Sequence, residues 1–293
     1  MIRKYGPVAA IAFCQVVVSC LTLLNLQQIK SEISASEHAI TPSASRTVRA
    51  ELVRELWTDD DPFKYANAKH VDDGYPHTNI RESHIEAILQ VQEGALFWLE
   101  VGSMLGGSAI RTARVVKQKQ LDSLSIICID PFTGDVNMWA WERSLKEQNR
   151  FRFLKLERGA PSIYTRFLAN VYANHAHEMI MPIVATSIVG IKLLERLLSE
   201  GRLHSRPDVL FLDSAHEVDE TFMELQHAWR LLRVGGVLFG DDWSWAAVAS
   251  DVRRFAGGVN IDTEKLNKVQ DLIHGHFDGG VLVVDGIWYL AKK

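Results

Sequence analysis

Phe97-Trp-Leu-Glu-Val-Gly-Ser-Met-Leu-Gly-Gly-Ser108 decides the fold of this chain. Phe97 to Glu100 is mostly apolar and aromatic, the composition of a strand buried on both faces of a parallel sheet. Three glycines follow, Gly102, Gly106 and Gly107. From Ser108 to Lys119 the pattern is helical, with Ile110, Ala113, Val115 and Val116 making the apolar side. Strand, glycine turn and helix form the opening βα unit of a nucleotide-binding α/β sheet. The glycines let backbone approach a ligand closely, and the free N–H groups at the helix start favour an electron-rich one.

The spacing is G-x-x-x-G-G, which departs from the G-x-G-x-x-G of dinucleotide sites and from the G-x-x-x-x-G-K-[ST] of P-loops. Glu100, directly before the loop, would repel a pyrophosphate but can meet a cationic ligand end. Glu100-Val-Gly-Ser-x-x-Gly-x-Ser108 resembles motif I of the class I S-adenosylmethionine (SAM) methyltransferases. In that family this loop holds the methionine part of SAM.

Outward from this unit the chain alternates strands and helices, which implies a doubly wound α/β domain. Leu124 to Asp130 is a second buried strand. It ends in an acid placed to accept from ribose hydroxyls. Met179 to Thr186, Pro207 to Asp213 and Gly235 to Asp242 are the third to fifth strands. Helices are expected at Ile188–Glu200, Glu217–Arg233 and Ala246–Phe255. Val136 to about Arg150 and Phe151–Asn174 also read as helical. Lys268–Leu272 and Gly286–Ala291 read as two closing strands separated by HGHFDGG, an antiparallel edge completing a seven-stranded Rossmann-like sheet. Ahead of the first strand, Thr47–Leu56 begins an amphipathic helix, and Ile80–Gln92 makes a second one expected against the sheet edge.

The N-terminus is of another kind. Arg3 and Lys4 precede an apolar run from Pro7 to about Leu26, and about twenty such residues suffice to span a bilayer. Residues 1–28 therefore read as a signal-anchor helix of a single-pass membrane protein, with 29–50 a Ser/Thr/Ala-rich linker and 51–293 the catalytic domain. The alternative is a cleaved signal peptide and a secreted protein. Net charge is −4 with pI near 6.3, so nucleic acid is not an expected partner. Three cysteines make neither a disulfide framework nor a zinc site. Nothing in the sequence sets an oligomeric state.

Three carboxylates, Asp213, Asp241 and Asp242, each close an expected strand and so share the ligand crevice. Unassisted they would repel, and a hard divalent cation such as Mg²⁺ would relieve them. The competing role is helix capping, which suits Asp213 and Asp242. His216 is either a general base for a substrate proton or a group that orients Asp213 or caps the helix, and Asp213 or the metal is the preferred activator of the substrate hydroxyl. Trp243 and Trp245 after the acid pair, and Trp139 and Trp141 after the second strand, either wall the site or pack in the core. The remaining histidines read as surface residues.

Asp213-Ser-Ala-His216, a helix, then Leu232-Arg-Val-Gly-Gly-Val-Leu-Phe-Gly-Asp-Asp242 resembles the family-24 methyltransferase domain, which includes macrocin-type sugar O-methyltransferases and a cephalosporin-hydroxylase-like group. The resemblance covers roughly Phe97 to Trp245. It implies SAM contacts from Glu100, Gly102, Ser103, Gly106, Ser108, Asp130, Ser187 and Asp213, with Thr186 and Ser187 beside adenine. It also implies Mg²⁺ on Asp213, Asp241 and Asp242, and methylation of a hydroxyl on a small molecule or sugar. An oxygenase is disfavoured, because no set of two histidines and one carboxylate accompanies the crevice. The alternative is a non-catalytic SAM-binding or interaction module tethered to a membrane.

Overall fold

The structure, a computed structural model, describes residues 47–71, 78–141, 154 and 156–293. The expected membrane-spanning segment lies outside these residues. Among the described residues no helix is long and apolar enough to cross a membrane. The compact unit runs from Thr47 to Lys293. Its first helix, α1 (Val48–Trp57), begins where the Thr47 hydroxyl accepts from the Ala50 N–H, so it takes in the end of the stretch read as linker.

The sheet has eight strands: β1 (Phe97–Val101), β2 (Ser125–Asp130), β5 (Ile180–Val184), β6 (Val209–Leu212), β7 (Val237–Gly240), β8 (His276–Asp278), β9 (Val281–Val284) and β10 (Ile287–Ala291). Their order is β5-β2-β1-β6-β7-β10-β9-β8. The first five run parallel, and β10 enters antiparallel between β7 and β9. The expected Rossmann-like architecture is present, with one strand more than the seven read from the sequence. The surplus strand is β8, from within the HGHFDGG stretch, which folds back on β9.

Two other expectations are corrected at this edge. Lys268–Leu272 is not a strand but part of a helix, Thr263–Ile273, N-capped by Asp262, whose carboxylate accepts from the Lys265 N–H. Its buried Leu266 and Val269 are three apart, a helical spacing. The penultimate strand is instead Val281–Val284, a short apolar run that periodicity alone does not assign.

Successive residues of the parallel strands alternate between two covered faces. On one, Trp98, Cys128, Phe211, Phe239 and Tyr289 meet Ile85 and Ile88 of α2 (Glu82–Val91) and Ala109 and Ala113 of α3 (Gly107–Gln118). The α2 helix thus lies on a sheet face rather than at its edge, packed beside Thr263–Ile273. Phe239 stacks between Phe211 and Tyr289, with ring centroids 4.6 and 5.6 Å away, and meets Trp98 edge-on at 5.5 Å. Such pairs each add roughly 0.5–1.5 kcal/mol beyond area burial. On the other face Phe97, Leu99, Ile127, Leu210 and Leu238 meet α1, α6 (Ser187–Ser199), α7 (Glu220–Leu231) and α8 (Ala246–Ala256).

Between β2 and β5 the chain forms α4 (Val136–Trp141), a short hairpin of β3 (Leu156–Glu157) and β4 (Ala160–Pro161), and α5 (Ile163–Ala173). Part of the stretch read as one helix is therefore a turn, reversed at Arg158 and Gly159 with φ of 54° and 84°.

Register positions the site. Val101 pairs with Ile129 and Leu212, and Leu212 with Gly240. The residues that follow, Gly102, Asp213 and Asp241, therefore emerge side by side at the carboxyl end of the sheet.

Candidate functional site

A cavity of about 730 Å³ opens at that end. Ser103, Gly107 and Ser108 line it from the glycine loop, Asp130 from the end of β2, Ser187 from the start of α6, and Asp213, His216, Asp241 and Asp242 from the far strands. Most of the residues singled out in the sequence are thus brought to one cleft.

The loop is built for close approach. Gly102 has φ +91°, and a Cβ there would collide with the carbonyl oxygen of Asp213. Its N–H donates to the Ile129 carbonyl at 2.9 Å. Met104, also at positive φ, donates its N–H to the Asp130 carboxylate at 2.8 Å, so β2's terminal acid holds the loop over the sheet. Gly106 (φ +88°) caps α3 and does not line the cavity. A Cβ there would press on the Phe167 ring at 3.2 Å. Burial raises the Asp130 pKa, against the N–H groups of Met104, Phe132 and Ser103.

Glu100 lies beneath the loop, fully buried. One carboxylate oxygen accepts from the Ser108 hydroxyl at 2.8 Å. The other oxygen, like the Ser103 hydroxyl beside it, has no well-formed hydrogen-bond partner among the described residues. Buried polar atoms without partners are costly in a finished fold. Together with the cradle that Cβ atoms would fill, they fit a ligand with a cationic, hydrogen-bonding end.

Burial lifts the Glu100 pKa from 4.5 to about 7, while the nearby Ser108 and Ser103 hydroxyls oppose the rise. Between those values the folded chain holds a proton that the unfolded chain releases, so stability present below about pH 4.5 is lost as pH rises through 7. Glu100→Gln removes this term. The variant should match the wild type near pH 4.5 and exceed it by up to ~3 kcal/mol at pH 8. Urea midpoints of both proteins across that window measure the difference, and parallel curves would contradict it.

At the other end of the cleft three ligand atoms converge. Asp213, His216 and Asp242 each offer one atom, all within 4.8 Å of one another, and this is the one such group among the described residues. His216 Nε2 lies 2.8 Å from Asp242 Oδ2, and its Nδ1 lies 3.4 Å from Asp135 Oδ2. Burial opposes charge on this imidazole, but the hydrogen bonds to Asp135 and Asp242 prevail and raise its pKa to about 10. In this ion-paired state His216 is protonated at neutral pH and has no lone pair with which to act as a base. The Asp213 carboxyl is pushed well above its usual range by burial, then by the charges of Asp241 and Asp242.

Asp241, expected beside Asp213 and Asp242, is held differently. Its Oδ1 accepts from Asn79 Nδ2 at 3.1 Å and from the Asp242 N–H at 2.7 Å. The Trp288 indole donates to its carbonyl at 2.9 Å, an approach possible because Gly240 leaves room for the Trp288 ring. Asp242 sits at φ +62°, a left-handed backbone that costs energy for a residue with a Cβ.

Trp139, Trp243 and Trp245 do not line the cavity. Trp243 packs under the Arg253 guanidinium at 4.6 Å, and the Trp139 indole donates to the Thr133 carbonyl. Trp245 lies 5.0 Å from the His216 ring. The side chain of Trp141 is outside the described structure.

Sequence reading passed over Asp135, Asn79 and Glu224. Asp135 closes the PFTGD turn after β2, a position at a strand's carboxyl end that could have marked it. Glu224 is buried on α7 and accepts from the Ser214 hydroxyl at 2.8 Å. Asn79 precedes α2 and carries no local signal.

The profile of a family described as a methyltransferase domain matches residues 99–243. The chain carries a family-24 methyltransferase domain. The match takes in the glycine loop, Asp130, Asp213, His216 and the Asp241–Asp242 pair. The whole domain also resembles solved structures. An O-methyltransferase from Bacillus cereus, in complex with SAH, is 15% identical, with 89% of this chain and 96% of that one covered and a TM-score of 0.37. An O-methyltransferase of tomaymycin synthesis from Streptomyces achromogenes, in complex with SAM, is 13% identical, with 90% and 96% covered and a TM-score of 0.40. A calicheamicin methyltransferase is 15% identical, with 91% of each chain covered and a TM-score of 0.44. Likeness at this level carries no function over to the domain. No curated protein matches the chain in sequence at a significant level.

Proposed function

We propose that this methyltransferase is a SAM-dependent O-methyltransferase acting on a hydroxyl of a small molecule or sugar, assisted by a divalent cation. One observation carries the reading. A single cavity joins the glycine loop and Asp130 at one end to the Asp213–His216–Asp242 group at the other. Glu100, Gly102, Ser103, Ser108 and Asp130 would hold SAM, with Ser187 toward its base and Gly106 shaping the turn.

When bound, SAM supplies an electrophilic methyl group on a sulfonium. In the transfer the S–C bond breaks, an O–C bond forms, and the hydroxyl proton leaves. The chain's larger contribution is alignment of the two reactants. Its second is the proton. Asp213 faces the cavity with a carboxylate that accepts no hydrogen bond from the described residues and whose basicity burial has raised, so it is the acceptor for that proton. The charge of His216 in its ion-paired state works against the rise. A divalent cation such as Mg²⁺, held by the acids, would lower the pKa of the bound hydroxyl.

The test is transfer from methyl-labelled SAM to a panel of phenols, sugars and aliphatic alcohols. Label on a hydroxyl oxygen, with SAH released in equal amount, is the expected result. Tight SAM binding with no transfer to any acceptor would favour a non-catalytic SAM-binding module instead.

We also propose that residues 7–26 tether the domain to a membrane, on the strength of a mostly apolar run without a charged residue after Arg3 and Lys4. Retention of the full chain in the membrane fraction after alkaline extraction is expected. Release into the supernatant, with the N-terminus missing from the product, would mark a cleaved signal peptide and a secreted protein.

A further inference from the structure

The two ends of the sheet differ in charge, and the chain enters the domain at the basic one. We propose that the amino end of the sheet is a docking face for an anionic bilayer surface, which turns the cleft toward water and makes the methyl acceptor a water-borne molecule. The inference rests on the membrane tether proposed above and adds an orientation to it.

Helix α1 fixes where the chain enters. The Arg49 N–H donates to the Ser125 hydroxyl at 3.1 Å, and the Glu51 carboxylate accepts from the His204 N–H at 3.2 Å. Ser125 opens β2 and His204 precedes β6, so α1 lies at the amino ends of the strands, whereas the cleft lies at their carboxyl ends. Residues 27–46 connect the apolar run to Thr47. Fully extended they reach about 65 Å, so the tether alone leaves either end free to meet the bilayer. It keeps the domain close, and a weak surface contact then decides the orientation.

That contact is offered where β6 and β7 begin and β10, which is antiparallel, ends. Ala291 pairs with Val237, and the Gly235 N–H donates to the Lys292 carbonyl. Arg206, Arg230, Lys265 and Lys292 gather there, and none of them is ion-paired among the described residues. Arg206 donates to the Arg230 and Leu231 carbonyls at 2.9 and 3.2 Å, and Lys292 to those of Trp229 and Leu232 at 2.6 and 2.7 Å. Lys265 donates to the Gln92 side chain at 2.9 Å, and Arg230 to His227 Nδ1 at 2.7 Å. These neutral partners hold the cations in place without cancelling their charge. Burial and then the Arg206 charge lower the Lys292 pKa, and burial and then the Arg233 charge lower that of Lys265 against Asp262. The cations therefore lie within one another's field. The acids beside them are already engaged. Asp208 pairs with Arg233, Glu264 pairs with Lys268, and Asp262 caps its helix. Val234, 68% exposed, stands at the turn before β7.

The cleft mouth has the opposite sign. Glu217 and Glu220 are exposed there, and Glu220 lines the cavity. An anionic bilayer thus attracts one end of the domain and repels the other. Each cation brought to such a surface favours contact by roughly fivefold.

The experiment is hydrogen–deuterium exchange of the full-length chain in vesicles of phosphatidylcholine alone and of phosphatidylcholine with about 30% phosphatidylglycerol. In the anionic vesicles the amides of residues 233–236 and 263–268 should exchange about threefold or more slowly than in the neutral ones, and about 0.5 M salt should remove the difference. Arg230→Gln should shrink the slowing by about two- to fivefold, while Arg230→Lys keeps it. Equal exchange in the two kinds of vesicle would overturn the proposal, and this result depends on no variant folding. Slowing at residues 217–220 instead would also overturn it, because the cleft mouth would then face the bilayer and the acceptor would be a lipid. Alkaline extraction of the same vesicles reads the anchor separately. Release by alkali with the slowing retained would remove the tether and leave the docking face.

Discussion

Asp213→Asn should lower the rate of methyl transfer by about 10²–10⁴-fold while leaving the fold as stable as before or more so. The loss follows from two roles that the carboxylate would fill, proton acceptor and cation ligand, neither of which an amide can perform. The stability follows from electrostatics. The Asp213 carboxyl is pushed well above its usual range by burial and by Asp241 and Asp242, so its ionised form works against the folded state at neutral pH. A neutral amide of the same shape removes that repulsion. Single-turnover kinetics with labelled SAM, beside urea unfolding at pH 7.5, measure both. Activity within tenfold of wild type would take Asp213 out of the chemistry. A sharp fall in stability would mean that the carboxylate has a structural partner.

Gly102→Ala should abolish SAM binding and cost roughly 2–5 kcal/mol of stability. Left-handed backbone costs a residue with a Cβ about 1–2 kcal/mol, and forced overlap in a packed region adds about 1–3. Here both apply, because φ is +91° and the new methyl would meet the Asp213 carbonyl. Relief requires β1 and β6 to part where their ends carry the glycine loop and Asp213. Gly94→Ala is the control. Gly94 also has positive φ, +73°, but nothing lies within 4 Å of where its Cβ would be. It should show the backbone cost alone, with SAM binding intact. Equal effects of the two substitutions would contradict the assigned close contact at Gly102.

The parallel half of the sheet is legible because four of its five strands are short apolar runs ended by a glycine or an acid, Val101-Gly102, Asp130, Leu212-Asp213 and Gly240-Asp241. Those same terminators mark the site, since strand ends in an open α/β sheet line the crevice. The last fifty residues are harder. Val281–Val284 is too short to distinguish from a helix segment, and Lys268–Leu272 contains two apolar residues whose helical spacing only shows across the longer Thr263–Ile273 window. Within the site, the sequence names Asp241 and Asp242 as equals. Their difference arises from Asn79, distant in sequence, which donates to Asp241 and leaves Asp242 to His216. Asp135 is invisible for the same reason, because its partner His216 comes from another strand's end.

The most direct measurement is calorimetric titration of the full-length chain with SAM, followed by SAH. A cleft built around Gly102, Ser103 and Asp130 predicts saturable binding of both at one site per chain, lost in Gly102→Ala and kept in Asp213→Asn. No saturable binding of SAM up to about 1 mM, by a protein shown to be folded, would contradict the reading of this cleft as a SAM site.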